Sequence, residues 1–311
     1  MNDSFFALML QFYPKISEYE ELQTTYVLYC VFNSFLCHTV IMLNIVTIYA
    51  LRRISSLPKT LRTLLLSLAV SDVGVGLLGQ PFSISFLVMW LQQNDPGCNT
   101  YKGFLIVSGS VAIASFFGVV ALSVDIFLAI HLHLRYQELN VTHKRVVAVV
   151  IVIWVLSVFL SLMILWVPVY ISSGLLIILG VVGFFVTAVV YIKIYFAVQR
   201  HKNQIHVLQV QQAAGNDEIA NLTSLVKSAF GVFYVFLLFL ICYLPYCIVM
   251  AVYQISGPSI PFKKVYLFSW TLAYLNSSLN PVIYCWKMAH IRHSVIDILR
   301  NMTWFRNGAS H

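Results

Sequence analysis

Seven stretches of this chain are apolar almost without interruption: residues 24–51, 61–89, 100–130, 145–168, 174–198, 226–253 and 263–286. Each is long enough for the roughly 20 residues with which a helix crosses a hydrocarbon core of ~30 Å. Lipid offers no partner to a free backbone N–H or C=O, so each stretch must be a helix. The short alternating segments of a membrane β-barrel are absent. The pattern therefore predicts an all-α membrane protein, a seven-transmembrane helix bundle. An outer tail (1–23) precedes the bundle (24–286), and residues 287–311 follow it. Between the fifth and sixth stretches, His201 to Thr223 is polar, with a break at Gly215-Asn216-Asp217. Helical extensions of both neighbours are expected on either side of that break. After the last stretch, Ile291, Val295, Ile296 and Leu299 recur at helical spacing, with Arg292, His293 and Arg300 on the other face. This predicts a short amphipathic eighth helix lying on the membrane surface, with membrane lipid as its partner.

Composition agrees with the pattern. Of 311 residues, 60% are hydrophobic and 10% charged, against about 25% charged in an average soluble domain. Charge adds orientation. Fifteen basic residues flank one set of loops, among them Arg52, Arg53, Lys59, Arg62, Arg135, Lys144, Arg145, Lys193 and Lys287, while only Lys15, Lys102, Lys263 and Lys264 lie on the other side. The positive-inside rule then puts the N-terminus outside and the C-terminus in the cytosol, as in a multi-pass plasma-membrane protein. The net charge of +8 is this bias and gives no ground for a nucleic-acid partner. Residues 1–21 lack the basic start and small-residue site of a cleavable signal, so the first span is expected to act as the targeting signal. Asn2 begins the one sequon expected outside. Of six cysteines, Cys98 alone is clearly outside, and the segment 169–173 has none.

Polar residues inside the spans carry the chemistry. Asp72 is deep in the second span, with Asn44 in the first, Ser115 in the third, and Asn276 and Asn280 in the seventh. Ionisable groups in a bilayer are costly and face the bundle interior. A polar network that only holds the bundle together is one reading of this set. Pro281 removes a backbone hydrogen bond from an otherwise regular helix and bends it.

Five motifs stand in order on the expected spans: LAVSD ending at Asp72, LAIHLHLRY ending at Tyr136, Trp154 in the fourth span, CYLP from Cys242 to Pro245, and NPVIY from Asn280 to Tyr284. Together they resemble the rhodopsin-like (class A) G-protein-coupled receptors. In texture the chain is most similar to the adenosine, melanocortin, cannabinoid and lysophospholipid branch, through its short second outer loop, missing loop cysteine and fifth span without proline. The resemblance implies a receptor, not an enzyme, that signals to a heterotrimeric G protein. It also implies that Asp72, Ser115, Asn276 and Asn280 form a sodium pocket, with no other cofactor. A carboxylate with neutral oxygens suits a hard cation.

The ligand-fixing positions of those relatives are not kept. By the same resemblance the small extracellular ligand would meet Gln80, Phe82, Ser108, Ala112, Tyr243, Met250, Gln254 and Trp270. None is ionisable at neutral pH, which points to an uncharged or lipid-like ligand, and simple helix packing is the alternative for each. On the cytosolic side, Asp125 stays where the family has Asp-Arg-Tyr, but Ile126 replaces the arginine and Leu225 the acid that often pairs with it. The resemblance gives Tyr136 to Asp125 as a hydrogen-bond partner and sends Leu134 into a G-protein pocket. Tyr191 and Tyr284 are the tyrosines that meet on activation, Tyr243 replaces the switch tryptophan, and Pro245 and Pro281 bend the moving helices. A receptor with altered coupling and a non-coupling decoy or heteromer subunit both fit. A transporter is disfavoured by the absence of inverted repeats.

Overall fold

The computed structural model describes residues 16–55, 57–94, 97–131, 143–167, 169–210, 216–256 and 259–308. Among them there is no strand. After a single 3-10 turn at Ile16–Glu18, the helices are α1 (Tyr19–Arg53), α2 (Lys59–Gly74), α3 (Gln80–Leu91), α4 (Cys98–His131), α5 (His143–Leu162), α6 (Val169–Val210), α7 (Asn216–Ser256), α8 (Ile260–Lys287) and α9 (Ala289–Gly308). Six spans are long and apolar enough to cross a membrane: Tyr19–Arg53, Lys59–Leu91, Asn99–Ile130, His143–Leu165, Gly174–Phe196 and Phe230–Val252. α8 has the length of the seventh, but its inner face carries Ser269, Asn276, Ser277, Ser278 and Asn280, all buried, which lowers its apolar content.

The second span is two helices joined by one wide π turn, Val75–Gly79, with the Gln80 N–H bonded to the Val75 carbonyl five residues back. Pro81 explains its place, since the ring of a proline clashes with the carbonyl four residues earlier and the helix widens to avoid it. Gly76 permits it: a Cβ there would lie 2.7 Å from the Ile41 side chain.

α4 runs through the middle and touches α2, α5, α6 and α7, while α8 packs on α1 and α7. The Trp154 indole N–H donates to Ser67 Oγ at 3.2 Å, fixing α5 against α2. The largest apolar cluster fills the basic end of the bundle around Leu65, Leu122, Ile126, Ile130, Val232, Val235, Tyr284 and Ile291. At the opposite end, Lys263 of α8 reaches Glu18 at 2.5 Å, its side chain almost wholly buried, and Tyr26 meets Trp90 edge-on at 4.8 Å. α6 and α7 do extend past the spans as expected, and residues 211–215 lie outside the described residues. The connection between α5 and α6 lies earlier in the chain than the sequence suggests, because α5 ends at Leu162 and Val169 already begins α6. α9 is amphipathic: Ile291 is buried in the cluster together with Met288 just before the helix, Ser294 donates to the Ala50 carbonyl at 3.3 Å, and Ile296 and Leu299 stay exposed.

Candidate functional site

Asp72 sits on the inner face of α2, fully buried, and accepts a hydrogen bond from Asn280 Nδ2 of α8 at 2.9 Å. Asn44 of α1 is equally buried and donates to the Ser277 carbonyl at 2.9 Å. Ser115 of α4 and Asn276 of α8 are buried as well. All four residues of the expected pocket thus turn inward. Several of their oxygens have no hydrogen-bond partner within the chain: Asp72 Oδ1, Ser115 Oγ, Asn276 Oδ1 and Asn280 Oδ1. Asn276 Nδ2 is unpaired within the chain as well; buried polar atoms are nearly always paired, so this group of atoms is open to ordered water or to a cation. Among the described residues no group of three or more His, Cys, Asp or Glu gathers for a transition metal.

Farther from the basic end, the expected ligand residues divide. Gln80 opens α3 and is fully buried, with neither atom of its carboxamide bonded within the chain. Ser108 is buried against Gly79, whose carbonyl accepts from Tyr274 at 3.4 Å. Trp270 is half-buried inside a ring of aromatics, with centroids 5.3 Å to Tyr246, 5.6 Å to Tyr274, 5.9 Å to Phe104 and 6.2 Å to Tyr266. Met250 packs on the same group, and Ala112 is half-buried on α4. Phe82 departs from the expectation: it lies on the exposed arc of α3, and Ser83 takes the inward place, bonded to the Tyr29 hydroxyl at 2.8 Å. The wide turn before Gln80 is the cause, since it adds a residue to the helical count. Gln254 belongs to α7, and its side chain lies outside the described residues. Sequence reasoning missed Tyr246, Tyr266 and Tyr274. The i, i+4, i+8 spacing of Tyr266, Trp270 and Tyr274 was the available signal.

At the basic end Ile126 is 2% exposed within the apolar cluster. Asp125 beside it is buried too. Tyr191 stacks on Phe236 at 5.6 Å and meets Phe233 edge-on at 4.9 Å. Its hydroxyl lies 3.2 Å from Ser123 Oγ. Ser123 donates its own proton to the Val119 carbonyl at 2.8 Å, so in this pair Tyr191 donates. Tyr284 is 1% exposed, with its hydroxyl unpaired in the chain. Above them Tyr243, two residues before Pro245, stacks on Phe239 at 4.2 Å, and Phe239 meets Phe116 of α4 at 5.4 Å. Lys287 closes the end of α8, its ammonium 3.4 Å from the Trp286 ring centre and 4.2 Å from that of Tyr234 on α7. Leu134 and Tyr136 lie outside the described residues, and so does the Leu225 side chain.

The family model for the 7 transmembrane receptor (rhodopsin family) matches residues 43–172 and 166–284. The adenosine receptor A2a of Equus caballus is 26% identical over 303 residues, spanning 83% of this chain and 68% of its own length. The adenosine receptor A2b of Gallus gallus is 34% identical over 119 residues, 38% of this chain and 34% of its own. The histamine H2 receptor of Canis lupus familiaris is 28% identical over 262 residues, 75% of this chain and 67% of its own.

Proposed function

This chain belongs to the rhodopsin family of seven-transmembrane receptors, and from that premise we propose that it is a cell-surface receptor, N-terminus outside, that passes the binding of a small uncharged or lipid-like ligand to a heterotrimeric G protein through a rebuilt cytosolic face. The basic loops support the orientation. The ligand reading draws on the outer cavity, where Gln80 and Ser108 offer neutral polar groups beside the aromatic ring around Trp270. Relatives named for adenosine and histamine receive small molecules. The expected cavity residues put no acid or base beside such a ligand.

The observation that carries the coupling reading is the burial of Tyr191 and Tyr284 in one cluster around Ile126. Tyr191 is held by Ser123 and the Tyr284 hydroxyl has no partner in the chain. A small movement of α6 and α8, the helices that carry them, would give both hydroxyls a new arrangement, which is the kind of two-position element a switch requires. Ile126 itself favours a second reading, a receptor that binds ligand without activating a G protein, because position 126 offers no guanidinium to the transducer. GTPγS exchange on purified protein with a panel of G proteins decides between them. Ligand-independent or ligand-raised exchange by wild type supports coupling. Exchange absent from wild type but gained by Ile126→Arg sinks it for the native chain.

The unpaired oxygens around Asp72 fit a sodium ion held by Asp72, Ser115, Asn276 and Asn280. The ion would supply a positive charge that balances the buried carboxylate and ties α2, α4 and α8 together.

A further inference from the structure

Gln80 is fully buried, and neither Nε2 nor Oε1 of its carboxamide is bonded within the chain. Asn33 of α1, buried in the same half of the bundle, is tied by contrast: its Nδ2 donates to the Tyr29 carbonyl at 3.0 Å and to Thr271 Oγ1 at 3.0 Å. A buried amide without a partner is costly, and an apolar side chain of similar size would fill the place without that cost. Packing alone therefore does not account for a glutamine here. Such a group takes ordered water or a ligand, and its surroundings decide between them.

Gly79, the residue before Gln80, lies against both Ser108 and Tyr274: a Cβ there would be 3.7 Å from Ser108 Oγ and 3.9 Å from the Tyr274 ring. The Tyr274 hydroxyl donates to the Gly79 carbonyl at 3.4 Å, and its ring centre is 5.6 Å from that of Trp270. One tyrosine thus joins the turn that carries the carboxamide to the aromatic group of Trp270, Phe104 and Tyr246. Ser83, one helical turn beyond Gln80, is already bonded to the Tyr29 hydroxyl at 2.8 Å. Ser108 Oγ, buried on α4, is unbonded like the carboxamide. Unsatisfied donors and acceptors with no charge among them stand at the edge of an aromatic wall.

A carboxamide presents a donor and an acceptor side by side, so its full complement is an acceptor and a donor on one edge of the partner. A primary amide or a lactam has that edge and closes a ring of two hydrogen bonds. An ester offers acceptors only. An open-chain secondary amide stays trans, which turns its N–H and C=O to opposite edges. A carboxylate lacks the donor and would bring an uncompensated charge beside apolar rings. A flat ring suits the aromatic wall, on which it stacks or packs edge-on. We propose that Gln80 reads a cis amide edge, and that the ligand of the outer cavity is a flat ring bearing a primary carboxamide or a lactam. The inference rests on the outer cavity being the ligand site and narrows the uncharged ligand to one chemical class. Ser108 Oγ offers an acceptor for the second N–H of a primary amide.

The test is ligand-observed saturation-transfer NMR on the purified full chain in phosphatidylcholine nanodiscs, with empty nanodiscs as the blank for partition into lipid. Benzamide and 2-pyridone carry the edge; N-methylbenzamide and methyl benzoate are close in size and lack it. Wild type is expected to bind the first two about tenfold more tightly than the second two, the effect of one or two lost hydrogen bonds. Gln80→Leu is expected to bind benzamide and methyl benzoate alike. Equal binding of all four by wild type overturns the inference and leaves the outer cavity as a site for neutral rings. A preference for benzamide that Gln80→Leu keeps overturns it too, since another group then reads the edge. Binding of none of the four removes both the inference and the small neutral ligand on which it rests. Should thermal unfolding show that Gln80→Leu does not fold, the wild-type ratio decides alone.

Discussion

Asn44 gives its side-chain amide to the Ser277 carbonyl, the group that Pro281, four residues on and without an N–H, leaves with no helical donor. The bend of the seventh span is thus stitched to the first. Asn44→Ala removes the donor and strands a buried carbonyl, at a cost of about 1–3 kcal/mol. A lowered unfolding temperature in detergent is the expected result, larger than for Asn33→Ala, because Thr271, the residue that Asn33 donates to, keeps its own bond to the Leu267 carbonyl.

Sodium, compared with choline at equal ionic strength, is expected to raise the unfolding temperature of wild type. At ten times the dissociation constant the gain is about 1.4 kcal/mol. Asp72→Asn keeps the shape and the contact with Asn280 but removes the charge, so its unfolding temperature should be the same in both salts. An equal sodium response in that variant would refute the site.

Lys287 between Trp286 and Tyr234 joins the ends of α8 and α7. The position 126 and 225 residues can make no ion pair, and this cation–π contact remains as a tie on α7. Lys287→Gln should lower stability by roughly 0.5–2 kcal/mol and raise ligand-independent GTPγS exchange, while Lys287→Arg stays near wild type. Unchanged exchange in Lys287→Gln would remove the contact from the switch.

The Tyr191 to Ser123 bond holds α6 to α4. Ser123→Ala and Tyr191→Phe are each expected to cost about 0.5–1.5 kcal/mol. Combined, they should cost no more than the larger single value, since both remove one bond. Summed losses in the thermal or denaturant unfolding of the double variant would show two separate roles.

Ile126→Arg inserts a guanidinium among Leu122, Ile130, Val232 and Tyr284. A charge buried without a partner costs several kcal/mol, so this variant should unfold at a markedly lower temperature. Ile126→Leu should change stability by less than about 1.5 kcal/mol. Exchange assays on Ile126→Arg need that unfolding measurement beside them.

Most of the architecture was legible because lipid makes it so: a long apolar run in a bilayer has few alternatives to a helix, and the seven runs became seven helical spans, the second of them in two pieces. The inward direction of Asp72, Ser115, Asn276 and Asn280 was legible for the same reason, since polar groups avoid lipid. Phe82 was misplaced because its direction depends on a turn wider than 3.6 residues, which no periodic count reveals. The role of Ser277 was hidden because it acts through its backbone, and side-chain identity says nothing of a carbonyl.

The turn at Val75–Gly79 has a consequence for how the two halves of the second span are geared. The wide turn holds one residue more than the α-helix needs to cover the same stretch. Removing one residue there would let the turn close to α-helical geometry, so Gln80 and Ser83 would keep their inward faces and Phe82 its outward one. A deletion in a regular helical span has no such slack and turns everything beyond it by about 100°. The turn is therefore the one place in the second span where the chain can lose a residue and leave the lining of the outer cavity as it is.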